Sequence, residues 1–427
     1  MIGRCVDVFV AFAPQQIKGV GNNSLRARSG EYGTSESQWR YHKGSLPQSS
    51  WVFDANRDAF NYGLSDEQCD AAFPGLFAEI YRARDHLLKH NKTIGRKDVH
   101  LYHDEERAGR PHYELHVLLH DGELYVLHQN DGVWPHHYRA VAGLANFYRA
   151  MAALPDLRRL PNVEFVLNAD DYYARPDEPG FADGRPRFSW NRHKDDPWTW
   201  VMPDFGGWMF SDDGVQSYAQ FRADVGLVER EYMDKGKRGG WDDKTPKLAW
   251  RGSMGLGESL RHALVDAAKD KPWSDVSAME IIADKDIRNN VLDMADFCRY
   301  KSSGPHQNHV AVKRDWSDLE DRMRELEKSP TRARRIAREV GAQFRDRYLT
   351  PAAEACYLRR MIAVYATVQG FEPRSHYVVD PAAVADKESG KKKRKRRGVS
   401  FAFYLTPAPY SKFGFLAGDK ERYEAEG

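Results

Sequence analysis

The stretch Leu160-Pro161-Asn162-Val163-Glu164-Phe165-Val166-Leu167, which runs on through Asn168 and Ala169 into Asp170-Asp171, decides the fold class. Apolar residues at helical spacing from Leu144 to Leu160 precede it, Pro161-Asn162 breaks that helix, and the β-prone run from Val163 stops at two acidic loop residues. A helix feeding a short strand that ends on polar loop residues is the pattern of an α/β sheet, whose ligands collect beyond the carboxyl ends of its strands. The pattern recurs at Lys247–Trp250, which leads into Arg251-Gly252-Ser253-Met254-Gly255-Leu256-Gly257 and then a helix over Glu258–Ala268.

Working outward, His116–Leu119 and Glu123–Leu127 flank Asp121-Gly122, a two-residue hairpin signal. Ser65 with Gln68 three residues on forms a capping box, opening a helical region that carries Phe77, Ile80, Leu87 and Leu88 and is interrupted by Pro74. Strands are expected at Met279–Ile282 and His309–Val312, and helices over Asp318–Glu327, Arg332–Tyr348 and Ala352–Thr367. Residues 14–50 are rich in Gly, Ser, Arg and Gln without periodicity. The expected division is a poorly ordered leader (1–50), a first α/β domain with a preceding helix (51–240), a second α/β domain (241–370) and a tail (371–427).

Composition bounds the function. Of 427 residues, 41% are hydrophobic and 30% charged, and no apolar run reaches the ~18 residues needed to cross a bilayer. The formal charge of +2 hides an asymmetry: outside the run Lys391–Arg397, 57 basic residues face 62 acidic ones, a balance of −5. A mildly acidic body argues against a nucleic-acid scaffold, and the basic run reads as solvated chain, with nuclear import or anionic lipid as other readings. Cys5, Cys69, Cys298 and Cys356 contain no C-x-x-C pair and decide neither metal nor compartment. Met1–Gln15 lacks the ordered regions of a secretion signal, although Asn22-Asn23-Ser24 and Asn91-Lys92-Thr93 fit the glycosylation acceptor pattern, which arises often by chance.

Three features could carry chemistry. Arg251-Gly252-Ser253 lies at a strand-to-helix turn, where free N–H groups and the positive helix end favour a phosphate or diphosphate; the glycine spacing fits neither the dinucleotide fingerprint nor the P-loop. Asp170 and Asp171 end a strand, where a carboxylate can act as general base, solvated loop acids or a helix cap being the alternative. Six of the 11 tryptophans, Trp190, Trp198, Trp200, Trp208, Trp241 and Trp250, cluster in sequence and can pack on sugars or in the core. His116 and His120 have a zinc-helix spacing on a segment that reads as strand, with no third ligand, so no metal site is expected.

Taken together, several stretches resemble the fungal branch of glycosyltransferase family 90, the capsule-associated and protein O-glucosyltransferase family. They are Gly63-Leu64-Ser65-Asp66-Glu67-Gln68-Cys69 with Ala72-Phe73-Pro74, then Leu160–Phe165, Asp170-Asp171, Met202-Pro203-Asp204-Phe205-Gly206, Leu248–Ser253, Asp296–Tyr300 and Phe344–Tyr357. The resemblance implies a GT-B architecture of two Rossmann-like domains facing a cleft, a UDP-sugar donor of the xylose or glucose class, inversion at the anomeric carbon and no obligatory metal or other cofactor. It implies Asp171 as the base that deprotonates the acceptor hydroxyl, and Arg251, Gly252 and Ser253 as the donor diphosphate turn. Asp170, Asp204 and Trp208 are the expected substrate-binding residues. The implied partners are a nucleotide sugar and a glycan or glycoprotein acceptor in the secretory lumen, with no nucleic acid, and a membrane only through an anchor not seen here.

The resemblance breaks after Tyr300. Family members carry further loop, helix and strand elements before the segment matching Asn308-His309-Val310, whereas here Lys301–Gln307 alone intervenes. A β–helix–β unit takes ~30 residues or more, so the stretch is too short to hold one. The absent part resembles the donor-binding segment, and its cysteine is the implied partner of Cys298. The competing readings are therefore a working glycosyltransferase, a glycosyltransferase-like protein or truncated gene product impaired in donor binding, and a nuclear or nucleic-acid binder resting on Lys391–Arg397 alone.

Overall fold

A computed structural model describes residues 51–101, 113–130, 134–154, 160–169, 184–193, 195–203, 223, 227, 245–252, 254, 258–278, 280–281, 288–289, 310, 312–374, 377–379, 394–396 and 399–401. The chain divides into two compact units, one of Thr34–Met209 with Tyr348–Gly427 and the other of Met1–Gly33 with Phe210–Arg347.

The first unit opens with short helices α1 (Ala55–Asp58) and α2 (Asp66–Ala72) and the longer α3 (Ala78–Lys89). The α2 N-terminus has the expected capping box: Gln68 N–H donates to Ser65 Oγ and Ser65 N–H to Gln68 Oε1. A hairpin follows, β1 (Glu114–His120) and β2 (Glu123–Gln129), turned by Asp121 at φ 51° and Gly122 at φ 79°. Positive φ at both central residues is the type I′ geometry that matches strand twist, which is why Asp-Gly stands there. Helix α4 (Trp134–Ala152) then leads to β3 (Val163–Asn168), β4 (Arg187–Ser189) and β5 (Thr199–Val201).

These strands and Val399–Ser400 form one sheet in the order Val399–Ser400, β2, β1, β3, β4, β5. Pairing is antiparallel from Val399–Ser400 to β3 and parallel from β3 to β5. The expected α/β character holds as a mixed sheet: a two-residue turn can join only antiparallel strands, so the hairpin excludes a wholly parallel arrangement.

Odd residues of β1 and β3, Leu115, Val117, Leu119, Val163, Phe165 and Leu167, join Phe188 and Trp200 in the principal core. Phe165 and Phe188 stack at 4.4 Å, and Trp200 meets Tyr365 edge-on at 5.2 Å. Tyr365 comes from the helix Pro351–Ala366, capped by Thr350 Oγ1 accepting from Ala353 N–H, with Pro351 where its missing N–H costs nothing. A disulfide joins Cys69 of α2 to Cys356 of this helix. Carbonyls of edge strand β5 and of the chain before it are covered: Arg82 donates to Pro197 O and Thr199 O, and Tyr357 Oη donates to Val201 O. Such covering blunts an edge that could otherwise pair with another chain.

The second unit holds β6 (Leu248–Gly252), α5 (Glu258–Ala268) and β7 (Ser274–Ala278), with β6 and β7 parallel, as a β–α–β element. Its core is Trp250, Leu264, Ala268, Trp273, Trp316 and Leu319. Helices α6 (Leu319–Lys328) and α7 (Pro330–Glu339) follow, and Val340–Tyr348 continues as a π-helical segment.

Several expectations shift. The helix Pro351–Ala366, expected in the second domain, belongs to the first unit, because its apolar face packs on α4, α3 and α2. Val310 and Val312 lie in irregular chain where a strand was expected. Within the basic run, Arg394–Arg396 is a strand paired with Tyr377–Val379, and Val399–Ser400 adds to the sheet, so backbone hydrogen bonding orders chain that its charge alone marks as solvated. The expected leader, residues 1–50, lies outside the described residues.

Candidate functional site

The carboxyl ends of parallel strands β3, β4 and β5, at Asn168, Ser189 and Val201, form one edge of the first unit's sheet. Asn168 Nδ2 donates to Ser189 Oγ at 3.4 Å, Met202 N–H to Ser189 O at 2.9 Å and Ala169 N–H to Tyr113 O at 2.8 Å. Asp170 and Asp171, the next residues in sequence after Ala169, lie outside the described residues, as do Asp204 and Trp208.

The sheet face opposite the principal core is buried and mixed: Leu118, Tyr125 and Leu127 form a small apolar cluster, and polar pairs stand beside it. Glu114 and Arg187 stand 3.5 Å apart, His116 Nε2 lies 2.9 Å from Glu164 Oε2, and Glu164 is wholly buried. Buried charges persist only when paired, and here pairing runs across three adjacent strands. Near the same edge, Tyr113 Oη donates to Gln129 Oε1 at 3.1 Å and sits 3.5 Å from His137 Nδ1. Burial holds the His137 imidazole below its usual pKa, favouring the neutral ring.

Residues after β4 are tied to α3 through Glu79, whose carboxylate accepts from Arg82 Nε at 2.7 Å and from Arg192 Nε at 3.0 Å. Burial pushes the Glu79 pKa up, but the two guanidiniums outweigh it and the group stays below its ordinary value. Arg192 in turn donates to His193 O at 3.0 Å and Asp196 O at 3.3 Å, bracing the chain between β4 and β5.

In the second unit, Arg251 and Gly252, expected on a strand-to-helix turn, are instead the last two residues of β6, paired with Ser277 and Ala278 of β7, and the Arg251 side chain is 8% exposed. Its Nη1 donates to Trp250 O at 2.9 Å and Asp275 O at 2.5 Å, and its Nη2 meets Asp275 Oδ1 at 2.6 Å. Strand β7 thus supplies an acidic partner that the turn sequence did not announce. Gly252 has a packing reason to be glycine: a Cβ there would clash with Trp250 Cζ2 at the edge of the indole. Ser253 lies outside the described residues.

Of the clustered tryptophans, Trp200 and Trp250 are buried core residues, Trp190 and Trp198 pack partly buried at the first unit's core, and Trp208 and Trp241 lie outside the described residues. His116 and His120 have separate partners: His116 faces Glu164, and His120 Nδ1 lies 3.1 Å from Asp121 Oδ2. Among the described residues no group of three His, Cys, Asp or Glu could hold a metal ion, and no helix is long and apolar enough to cross a membrane.

The residues that sequence reading passed over are Glu114, Arg187, Tyr113, Gln129, His137 and Asn168. Alternating polar positions in a hairpin normally mark a solvated face, so the pattern at Glu114, His116 and Glu164 carried no sign of burial.

The model of glycosyl transferase family 90 matches residues 97–304, just under half of the chain. The match supports assignment to that family. It takes in β1–β3 with Asp170 and Asp171, the segment of Asp204 and Trp208, and strand β6 with Arg251. Its end at Gly304 falls within Lys301–Gln307. The search of curated proteins returns no match to the chain.

Proposed function

We propose that this chain, a glycosyltransferase family 90 sequence over residues 97–304, moves a sugar of the xylose or glucose class from a UDP-sugar to a hydroxyl of a glycan or glycoprotein. The observation that carries the reading is that both the strand-end acids and Arg251 fall inside the family match. Asp171 takes the proton of the acceptor hydroxyl, whose oxygen attacks the anomeric carbon from the face opposite the diphosphate. The carbon–oxygen bond to the diphosphate breaks, UDP leaves with the electron pair, and configuration inverts.

Arg251 supplies positive charge to the leaving diphosphate, with Gly252 and Ser253 offering backbone and hydroxyl donors, so that no metal is required. Asp170, Asp204 and Trp208 hold the sugar and acceptor. The two units correspond to the two halves of a GT-B arrangement, the first on the acceptor side. The Cys69–Cys356 disulfide favours an oxidising compartment, the secretory lumen.

A second reading, impaired donor binding, draws on the short Lys301–Gln307 stretch where the family match stops. Calorimetry with UDP separates the readings and tests Arg251. Arg251→Ala should weaken UDP binding by about 1.5–3 kcal/mol, roughly 10- to 150-fold, the value of a charge-assisted contact. Asp275→Asn releases the guanidinium while keeping its charge and should preserve or raise UDP affinity. Equal losses in both variants would mean that the Arg251–Asp275 pair serves the fold alone; no UDP binding by the parent chain would favour the impaired reading.

A further inference from the structure

Two acceptor triplets occur in the sequence, and the described residues include one of them, Asn91-Lys92-Thr93. This triplet forms the exposed turn that leaves α3. Asn91 N–H donates to Leu88 O at 3.1 Å and Lys92 N–H to Leu87 O at 3.0 Å, a left-handed helix stop, with Asn91 at φ 51°. All three side chains are exposed. Lys92 Nζ lies 4.5 Å over the Trp198 ring, while the Asn91 carboxamide makes no hydrogen bond among the described residues. Immediately beyond, Ile94 is fully buried and exchanges backbone hydrogen bonds of 2.8 Å with Val368 O and Gly370 N–H. The acceptor thus projects from a turn pinned on both sides.

We propose that Asn91 is an N-glycosylation site. The inference rests on the secretory location in the proposed function. The donor is a lipid diphosphate-linked oligosaccharide, supplied with its transferring enzyme by that compartment. The Asn91 amide nitrogen bonds to the anomeric carbon, the bond from that carbon to the diphosphate oxygen breaks, the lipid diphosphate leaves with the electron pair, and the amide gives up one proton to a base of the transferring enzyme. Thr93 provides the hydroxyl by which that enzyme reads the triplet.

A plain structural role explains part of the triplet. Asparagine is favoured over other non-glycine residues at positive φ, so the turn alone could account for Asn91. It does not account for an exposed threonine two residues on, nor for the exposure of the carboxamide itself. The two roles also respond differently to substitution: glycine at position 91 satisfies the turn and removes the acceptor, whereas alanine at 93 leaves Asn91 in place and removes the recognition hydroxyl.

The experiment expresses the full chain in a eukaryotic cell, removes N-glycans enzymatically in heavy-oxygen water, and maps the peptide holding Asn91 by mass spectrometry, together with the redox state of Cys69 and Cys356. The expected result is labelled Asp at position 91 in the parent and in Thr93→Ser, with the label and the gel shift lost in Thr93→Ala and Asn91→Gly, both retaining the parental melting temperature. An unlabelled Asn91 in a chain whose Cys69–Cys356 disulfide has formed would overturn the site while leaving the secretory reading intact. An unlabelled Asn91 in a chain with both cysteines reduced would overturn the location and the site with it.

Discussion

Asp171→Asn is expected to lower the rate of transfer from a UDP-sugar by about 100-fold or more, the usual contribution of a positioned general base. Asparagine keeps the size and polarity of aspartate but cannot accept the hydroxyl proton at neutral pH. The position follows β3, whose buried residues Val163–Asn168 fix the strand independently of what side chain 171 carries, so melting should be unchanged. Asp170→Asn serves as the neighbouring control, expected to change substrate affinity more than the maximal rate. Near-parental turnover in Asp171→Asn at an unchanged melting temperature would remove the residue from the role of base.

Removing the disulfide with Cys69→Ser and Cys356→Ser together should cost about 2–5 kcal/mol of the first unit's stability, through freedom returned to its unfolded chain. The cross-link spans a sequence separation of 287 residues, and both cysteines are buried. It sits in a packed setting: Arg359 Nη2 lies 3.6 Å from Cys69 Sγ and 3.9 Å from Cys356 Sγ and donates to Leu64 O at 2.6 Å, while Nη1 donates to Tyr62 O and to Ala150 O at 3.3 Å. That one guanidinium ties the chain before α2, the end of α4 and the helix Pro351–Ala366 together. Urea unfolding followed by tryptophan fluorescence, with and without a reductant for the parent chain, measures the difference. A shift below 0.5 kcal/mol, a magnitude ordinary for surface substitutions, would make the cross-link incidental to stability.

Local signals were legible where one segment suffices to define an element. Ser65 and Gln68 cap α2 through contacts three residues apart, Asp121-Gly122 turns the hairpin, and the helix Glu258–Ala268 matches its sequence bounds. The three-residue strands β4 and β5 went unread because so short a segment shows no periodicity, and their pairing depends on β3. The strand Val399–Ser400 is specified by β2, far away in sequence, and four cysteines permit three pairings, so neither was open to local reading.

The candidate site divides in the same way. Arg251 announced itself by its place after a strand and before glycine, whereas its partner Asp275 became visible only through the register of β6 and β7. The buried pairs Glu114–Arg187 and His116–Glu164 likewise depend on which face of the sheet is covered, a tertiary fact.

The measurement that bears most directly on the account is UDP release by the full 427-residue chain, incubated with UDP-xylose or UDP-glucose, in the presence of chelator and with glycoprotein and glycan acceptors. The account predicts acceptor-dependent release of UDP that persists without divalent metal and falls in Asp171→Asn and Arg251→Ala. A folded chain that neither binds UDP nor releases it from either donor would contradict the assignment of a donor-using glycosyltransferase.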